Sequence, residues 1–306
     1  MRGWIFYANY TNIKDYELYE IKRLVEEARK ENIKIKVIHP EQVDIIITKN
    51  HNKSIFLNGK AVKPPDFIIP RLGAYTNYHT IAILRNFERL GIYTLNSSQA
   101  IQIAKDKLFT HQILSKNDIL TPKTMFLHSP INIDLVKKHF EFPLILKNLS
   151  GSSGSGVFLV KDEKIFKDLI SLLESSHNTP QIIIQEFIAS SQGNDLRVLV
   201  IGNKAVACML RMAGKNEFKA NFSCGASVCA FPITDKIKEL VLKTCKVLNL
   251  EYAGIDLLFG KEGYCVCEAN SASGFQGLES CCDINVPQEI YKYIKNKLSE
   301  KIACNK

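Results

Sequence analysis

The residues best suited to chemistry lie in two apolar runs that flank Gly260-Lys261-Glu262-Gly263. Asp256 lies within the first run and Glu268 ends the second. A hairpin connection centred on Glu262 places the two carboxylates opposite each other, and Asn270 joins their face because strand side chains alternate with period two. Facing residues have Cβ atoms about 5 Å apart, so this set predicts a site for Mg²⁺ or Mn²⁺, with room for two ions.

The same register has consequences for the neighbouring residues. Two unpaired carboxylates between apolar strands would repel each other, so a purely structural alternative, in which a lysine neutralises them, stays open. Cys265 and Cys267 are predicted to point to the opposite face and to pack in the core. The nine cysteines contain no paired CxxC spacing, so we expect no metal–thiolate site.

A glycine- and serine-rich segment, residues 150–156 (the flap), could cover phosphate groups with its backbone amides. It is not a P-loop or a dinucleotide-binding fingerprint, because no GK[ST] follows and the next segment reads as a strand. Lys147 precedes the segment at the end of an apolar strand, and Lys107 stands at a predicted helix start, where a cation is unfavourable unless an anion lies nearby. A solvated linker and two solvated lysines are the alternatives.

Four further charged residues are candidates for binding anions. Asp195 and Arg197 alternate on one predicted strand and Arg211 ends its partner, an arrangement that suits recognition of a carboxylate or phosphate. Salt bridges among these same residues are the alternative. Arg71 follows Phe67-Ile68-Ile69-Pro70 at the carboxyl end of a strand, where open α/β sheets bind ligands.

The elements that must position these residues follow an α/β pattern. We predict an N-terminal α/β domain over residues 1–96, a central domain over 97–185 and a C-terminal domain over 186–306. Helices are predicted near Asp15, with Leu18, Ile21 and Val25 on one face, and from Lys107, with Asp106 as its cap. Strands are predicted at 4–7, 35–38, 55–57, 67–69, 144–146, 157–160, 182–184, 195–201, 204–211, 254–259 and 264–268, with further helices near 164–174, 234–248 and 287–303.

Composition limits the compartment and the partners. A chain of 306 residues that is 46% hydrophobic is long enough for two or three compact lobes. It shows neither a signal-peptide core nor a membrane-spanning run, which predicts a cytoplasmic protein that does not bind membranes. Lysine and arginine outnumber aspartate and glutamate by 40 to 31, a net charge of +9, which suits anionic ligands.

Seven stretches, in this order and spacing, resemble the ATP-grasp superfamily and, within it, the RimK-type α-L-glutamate ligases from Pro70 to about Val286. The matching stretches are Ile69-Pro70-Arg71-Leu72-Gly73, Ala104-Lys105-Asp106-Lys107-Leu108, Leu144 to Asn148 with the flap, Gln185-Glu186-Phe187-Ile188, Gly193-Asn194-Asp195-Leu196-Arg197, Gly254-Ile255-Asp256 and Cys267-Glu268-Ala269-Asn270.

The resemblance implies an ATP-grasp fold, in which a Rossmann-like pre-ATP-grasp domain precedes two subdomains that hold ATP and magnesium between them. It also implies that a carboxylate attacks the γ-phosphate of ATP, and that an amine then displaces phosphate from the acyl-phosphate. The implied roles are phosphate contacts for Lys107, Lys147, Ser152, Ser153, Gly154 and Gly156; nucleoside contacts for Glu186, Phe187, Ile188 and Asp195; metal ligation by Asp256, Glu268 and Asn270; catalysis by Arg197 and Arg211; and substrate contacts for Arg71, Asn221 and Gly274.

The implied substrates are an amino acid, with glutamate favoured, and a carboxylate acceptor that is either a small molecule or a protein terminus. Many relatives carry a basic residue after the equivalent of Asn221, whereas this chain has Phe222-Ser223-Cys224. Three stretches resemble instead the branch that makes N-acetylaspartylglutamate and related small peptides, namely Met209 to Arg211, Asn221 to Gly225 and Cys267 to Phe275. One alternative is a ligase that acts on a carrier protein in lysine or arginine synthesis. Another is a non-catalytic ATP- or nucleic-acid-binding protein, although the sequence lacks the motifs that favour nucleic acid. A homo-oligomer is compatible with the sequence.

Overall fold

A computed structural model describes residues 1–8, 15–47, 54–149, 156–175, 181–214, 217–220, 222 and 225–304. Within these ranges, no helix is long and apolar enough to cross a membrane. The described strands form three larger sheets and one small three-stranded sheet. Each of the three larger sheets supplies residues to the candidate site.

The N-terminal sheet is parallel, with strand order β2-β1-β6-β7. Its long helix α1 appears where the apolar period of 3.6 predicted it. The strand that carries Arg71 extends through Pro70 to Arg71, beyond its predicted end. The elements are β1 (Arg2–Tyr7), α1 (Asp15–Lys30), β2 (Lys34–Ile38), β3 (Val43–Ile45), β4 (Ile55–Leu57), β5 (Lys60–Ala61), β6 (Phe67–Arg71), α2 (Tyr78–Arg89) and β7 (Tyr93–Thr94).

Two consecutive helices, α3 (Ser98–Lys105) and α4 (Lys107–Lys116), lead into the second sheet. They are separated by Asp106, whose extended backbone stops the first helix while its carboxylate accepts a 2.9 Å hydrogen bond from the amide of Phe109. This is the N-cap predicted from the sequence. The cap fixes Lys107 as the first residue of α4.

The second sheet is antiparallel, with strand order β10-β9-β11-β8. Lys147 lies on β9, a central strand, and its Cα is paired with that of Val157 on one side and Ile183 on the other. The strand β11 crosses the predicted domain boundary at residues 185 and 186, and the three domain limits stay predictions. The elements are β8 (Thr124–Leu127), α5 (Ile133–His139), β9 (Leu144–Asn148), β10 (Val157–Val160), α6 (Glu163–Glu174) and β11 (Ile182–Glu186).

The third sheet has strand order β14-β13-β12-β15-β16, and its described pairings are antiparallel. Alternate residues of its central strands, among them Leu196, Val198, Ile255 and Leu257, enter the core that α7 covers. The residues between them, including the charged ones, therefore point to the other face. The elements are β12 (Asn194–Ile201), β13 (Lys204–Met212), β14 (Ser227–Ala230), α7 (Asp235–Val247), β15 (Tyr252–Gly260) and β16 (Gly263–Asn270).

The last two helices, α8 (Gln276–Cys281) and α9 (Val286–Cys304), pack against elements from the start of the chain. Ile290, Tyr291 and Ile294 of α9 lie in one core cluster with Ile5 of β1 and Leu24 of α1. The hydroxyl of Tyr291 donates to the carbonyl of Leu24 at 2.8 Å. The N-terminal sheet therefore completes its core with a helix from the far end of the sequence.

Candidate active site

The hairpin of β15 and β16 carries the two carboxylates that the sequence singled out. Asp256 is paired with Glu268, and Gly254 is paired with Asn270. The predicted pairing of the carboxylates is therefore confirmed. The side chain of Asp256 is buried, whereas 37% of the Glu268 side chain is exposed. One carboxylate is thus buried and the other is partly exposed to solvent.

The path to this pairing differs from the predicted one. Gly260 pairs with Gly263, so the connection is the two residues Lys261 and Glu262 rather than a loop centred on Glu262. A β-bulge then shifts the register, because Leu257 pairs with Val266 while Asp256 pairs with Glu268. Cys267 is the extra residue. The predicted turn centre lies half a residue too far along the chain, and the bulge adds one residue to β16. The two offsets cancel, so Asp256 is still paired with Glu268.

The prediction that both hairpin cysteines point away from the carboxylates is wrong. Cys265 pairs with Leu258, two residues beyond Asp256 and so on the same face. The thiol of Cys267 lies 3.6 Å from Nζ of Lys147. The bulge is the physical reason, because it moves Val266 to the core face and leaves both cysteines on the side of the site. Burial raises the pKa of the Cys267 thiol.

Four charged side chains form an alternating ladder across β13, β12 and β15. Arg211 donates to both carboxylate oxygens of Asp195 at 2.5 and 2.6 Å, and it reaches Asp256 at 3.0 Å. Arg197 donates to both oxygens of Asp256 at 2.7 Å. The salt bridges weighed as an alternative are therefore present. They hold Arg197 and Arg211 beside Asp256, where they neutralise it.

The electrostatics of the ladder keep Asp256 ionised. Burial alone would raise the pKa of its carboxyl, but Arg197 and Arg211 outweigh burial and hold the pKa below its ordinary value. Arg211 is only 2% exposed, and its two acidic neighbours raise its pKa although burial opposes this. A carboxylate accepts about four hydrogen bonds, and the ladder donates three to Asp256. Among the described contacts, three of the roughly four acceptor positions of Asp256 are therefore taken by the two arginines.

Two lysines from different elements converge on the outer strand β16. Nζ of Lys107, the first residue of α4, lies 3.7 Å from Oε1 of Glu268. Lys147 on β9 approaches Cys267. The site therefore places two cations beside the strand that carries Glu268, whose neighbour β15 carries Asp256, an arrangement suited to a phosphate chain with a bound divalent cation.

His111 lies beside these lysines and was missed by the sequence reasoning. It follows Lys107 by one helical turn on α4 and its Nε2 lies 3.0 Å from Nε2 of Gln185. Burial, with help from Lys147 and Lys107, lowers the pKa of His111 to about 4. The ring therefore stays neutral near pH 7. The i, i+4 spacing from Lys107 was the one available signal.

Arg71 and Gly274 lie together at a second edge of the site. Nη1 of Arg71 donates to the carbonyl of Ser273 at 2.9 Å, and its guanidinium lies over the rings of Tyr252 and Phe275 at 5.8 and 5.9 Å. Gly274 follows directly. Two of the three residues predicted to contact a substrate, Arg71 and Gly274, are therefore brought next to the strand that bears Asp256.

The predicted nucleoside and flap residues are placed only in part. Glu186 ends β11, where its amide donates to the carbonyl of Lys123 at 3.0 Å and its carboxylate accepts from the Lys123 amide at 2.8 Å. Half-buried Phe187 and Ile188 follow it. Gly156 has a φ of +71°, a backbone that suits glycine. Ser152, Ser153, Gly154 and Asn221 lie outside the described residues.

The donor set fits a hard divalent cation rather than a soft one. Within the described ranges, no group of three or more His, Cys, Asp and Glu side chains could hold a metal ion. Asp256 and Glu268 supply carboxylate oxygens, and the buried amide of Asn270 has an Nδ2 with no hydrogen-bond partner in the described structure. Because an amide can turn its oxygen to the same place, Asn270 can complete an oxygen set.

Two family models divide the chain between them. The model of the RimK pre-ATP-grasp domain matches residues 13–101, and that of the RimK-like ATP-grasp domain matches residues 104–294. The chain belongs to the RimK-like ATP-grasp family. The predicted fold class, an ATP-grasp fold behind an N-terminal pre-ATP-grasp domain, is confirmed.

Curated relatives agree with the RimK-like assignment over nearly the whole chain. A probable α-L-glutamate ligase of Thioalkalivibrio sulfidiphilus is 35% identical over 283 residues, which cover 92% of this chain and 93% of that protein. A protein of the same description from Legionella pneumophila is 34% identical over 289 residues, which cover 94% and 95%. The RimK-like chain is accordingly an ATP-grasp ligase, an enzyme that forms carbon–nitrogen bonds, as predicted.

Solved structures show the same fold at lower identity. The ATP-grasp ligase PsnB, complexed with a phosphomimetic variant of its minimal precursor, Mg and ADP, matches with a TM-score of 0.73 and 17% identity, covering 96% of this chain and 97% of PsnB. The D-alanine–D-alanine ligase of Bacillus anthracis, complexed with ATP, matches with a TM-score of 0.72 and 21% identity, covering 98% and 99%.

Proposed function

We propose that the chain is an α-L-glutamate ligase that joins L-glutamate to the carboxylate of an acidic acceptor, a small molecule or a peptide or protein terminus. One observation carries the proposal. Asp256 and Glu268 are directly paired on one hairpin, while lysines from α4 and β9 converge on the strand that bears Glu268. The names of the curated relatives support glutamate as the amino acid.

Each part of the site then has a role that its chemistry permits. Asp256, Glu268 and Asn270 would hold Mg²⁺, which neutralises phosphate charge when bound. Lys107 and Lys147 would bind the phosphates of ATP, with the flap residues Ser152, Ser153, Gly154 and Gly156 above them. Glu186, Phe187 and Ile188 would contact adenine, and Asp195 the ribose side.

The carboxylate of the acceptor would lie near Arg197 and Arg211, which neutralise it as it attacks the γ-phosphate. The bond from the γ-phosphorus to the bridging oxygen breaks, which leaves ADP and an acyl-phosphate. The amine of L-glutamate then attacks the acyl carbon, phosphate departs, and the amine loses a proton. Arg71, Asn221 and Gly274 would position the substrates. The chain supplies position and charge rather than a nucleophile.

The test is a turnover assay with a panel of acceptors. The purified chain is supplied with Mg²⁺, ATP and L-glutamate, either alone, where L-glutamate is both amine and acceptor, or with N-acetyl-L-aspartate or a peptide ending in glutamate added as acceptor. Phosphate should appear only with a competent acceptor, and the product should gain the mass of one or more glutamate residues. Nucleotide binding without ADP formation across the panel would contradict the proposal.

A matched pair of hairpin variants tests the metal site. Glu268→Ala should abolish phosphate release, because it removes the partly exposed carboxylate of the proposed metal site. Glu262→Ala, in the exposed turn of the same hairpin, should turn over like the wild type. Normal turnover by Glu268→Ala would remove Glu268 from the ligand set.

A further inference from the structure

Glu20 reaches from the N-terminal domain into the segment that follows the metal hairpin. It lies on α1 and is 1% exposed. Its Oε1 accepts hydrogen bonds from the amides of Phe275 at 2.6 Å and Gln276 at 3.0 Å. A methyl group added at Gly274 would lie 3.3 Å from the same oxygen. The segment 271–276 is therefore held by a residue about 255 positions earlier in the chain.

Other side chains hold the same segment from other elements. The carbonyl of Ser273 accepts from Nη1 of Arg71 at 2.9 Å and from the hydroxyl of Tyr252 at 2.7 Å. A methyl group on Gly254 would lie 2.2 Å from Oγ of Ser273, so the segment packs directly on β15. Gly254 is two residues before Asp256, and the held segment is thus adjacent to the carboxylate and arginine ladder.

The second oxygen of Glu20 marks it as more than a packing residue. Oε2 is buried and has no hydrogen-bond partner in the described structure, an arrangement that costs stability. Violations of this kind concentrate at functional sites. The groups that face Glu20 are Arg71 on β6, the two amides, Glu279 on α8 and Tyr252 on β15.

We propose that Glu20 is a positioning residue for the ligase reaction, which fixes segment 271–276 against β15 and so sets the geometry of the carboxylate-substrate side. This inference rests on the proposed function. Lys107 and Lys147, the proposed phosphate contacts, lie on α4 and β9, outside segment 271–276 and outside α1. Loss of Glu20 should therefore affect the carboxylate substrates and spare ATP.

The experiment compares three variants of the full chain for KM and kcat. Glu20→Ala should raise the KM for the acceptor or for L-glutamate about tenfold or more, because small misplacements are costly, while the KM for ATP stays within about twofold. Glu20→Gln retains an oxygen for both amides and should recover most of this loss. Glu27→Ala is the control, since buried Glu27 on the same helix binds Asn285 and Lys30 instead.

The outcomes separate the two proposals. No amide product from the wild type with any acceptor defeats the proposed function itself. Product from the wild type, with Glu20→Ala unchanged or with equal increases in every KM, defeats the role of Glu20 alone. Amide hydrogen exchange gives a readout without turnover: Phe275 and Gln276 should exchange faster in Glu20→Ala than in Glu27→Ala, and equal rates would contradict the proposed hold.

Discussion

Asp256 and Glu268 face each other on one hairpin, but their surroundings give them different effects on stability. Asp256 is the shared counter-charge of Arg197 and Arg211, and Arg211 is buried. Asp256→Asn should therefore cost about 3 to 5 kcal/mol of unfolding free energy, as expected when one partner of a buried pair is removed. Glu268→Gln removes only a partly exposed contact with Lys107 and should cost about 1 kcal/mol or less.

Asp256→Asn and Glu268→Gln should differ in stability but not in their loss of ligase activity. Both variants should lose about 100-fold or more of ligase activity, because each removes charge from the proposed metal site. Urea unfolding and phosphate release, measured on the same preparations, check the pair. Equal destabilisation by the two variants would show that the arginine ladder does not depend on Asp256.

Glu20 should make the stability of the fold depend on pH, with stability falling as pH rises. Burial, only partly offset by Arg71 and the amides of Phe275 and Gln276, raises the pKa of Glu20 from 4.5 to about 7. An acid whose pKa rises on folding contributes stability below its unfolded pKa and loses it as pH rises through the folded pKa. From about pH 5 to pH 8, Glu20→Gln should gain roughly 2 to 3 kcal/mol relative to the wild type.

Glu27→Gln is the control for this measurement, again by urea unfolding. Burial alone would raise the pKa of Glu27, but Asn285 and Lys30 outweigh it and the pKa is lowered. The stability that ionised Glu27 contributes is present above its unfolded pKa and is lost only at lower pH. The difference between Glu27→Gln and the wild type should therefore stay constant over the same range. A flat profile for Glu20→Gln would show that Glu20 is not buried as a carboxylic acid.

At the scale of elements, the sequence predicted the features that depend on interactions between residues close together in the chain. The apolar period located α1, and the cap Asp106 located α4 and with it Lys107, because both signals lie within a few residues of the structure they specify. The bulge at Cys267 has no such signal. Period two alone put the cysteines on the wrong face, and the predicted pairing of Asp256 with Glu268 holds only because the bulge offsets the error in the turn.

The packing of segment 271–276 on β15 depends on the absence of a side chain at Gly254. Gly254 lies in an extended strand, so alanine fits its backbone, but the added methyl would meet Ser273 at Oγ and Cβ, at 2.2 and 2.6 Å. Gly254→Ala should therefore displace the segment, destabilise the fold by about 1 to 3 kcal/mol and raise the KM for the carboxylate substrates.

A second substitution tests this cause directly. Ser273→Gly removes both of the atoms that the methyl would meet, so Gly254→Ala combined with Ser273→Gly should recover stability and KM relative to Gly254→Ala alone. Ser273→Gly by itself is the reference for the double variant. Strict additivity of the two effects would mean that they do not act through this contact.

At the scale of the whole molecule, the sequence could not reveal the contacts between the N-terminal sheet and its helix α1 and the C-terminal part of the chain. Glu20 and Phe275 are 255 residues apart, and Tyr291 and Leu24 are 267 apart. Periodicity identified α1 and α9 as helices, but nothing in either pattern states that they share a core. The predicted N-terminal domain, residues 1–96, omits the helix that completes its packing.

Because α9 shares a core with β1 and α1, we expect α9 and the N-terminal sheet to unfold together. Tyr291 is fully buried, its ring is 6.4 Å from that of Phe67 on β6, and its hydroxyl binds Leu24. Tyr291→Ala should cost about 3 to 5 kcal/mol and should speed hydrogen exchange in β1 and β6 as well as in α9. Lys295→Ala, on the same helix with a surface ion pair to Glu31, should cost about 1 kcal/mol or less. Faster exchange confined to α9 would mean that the N-terminal sheet is stable without that helix.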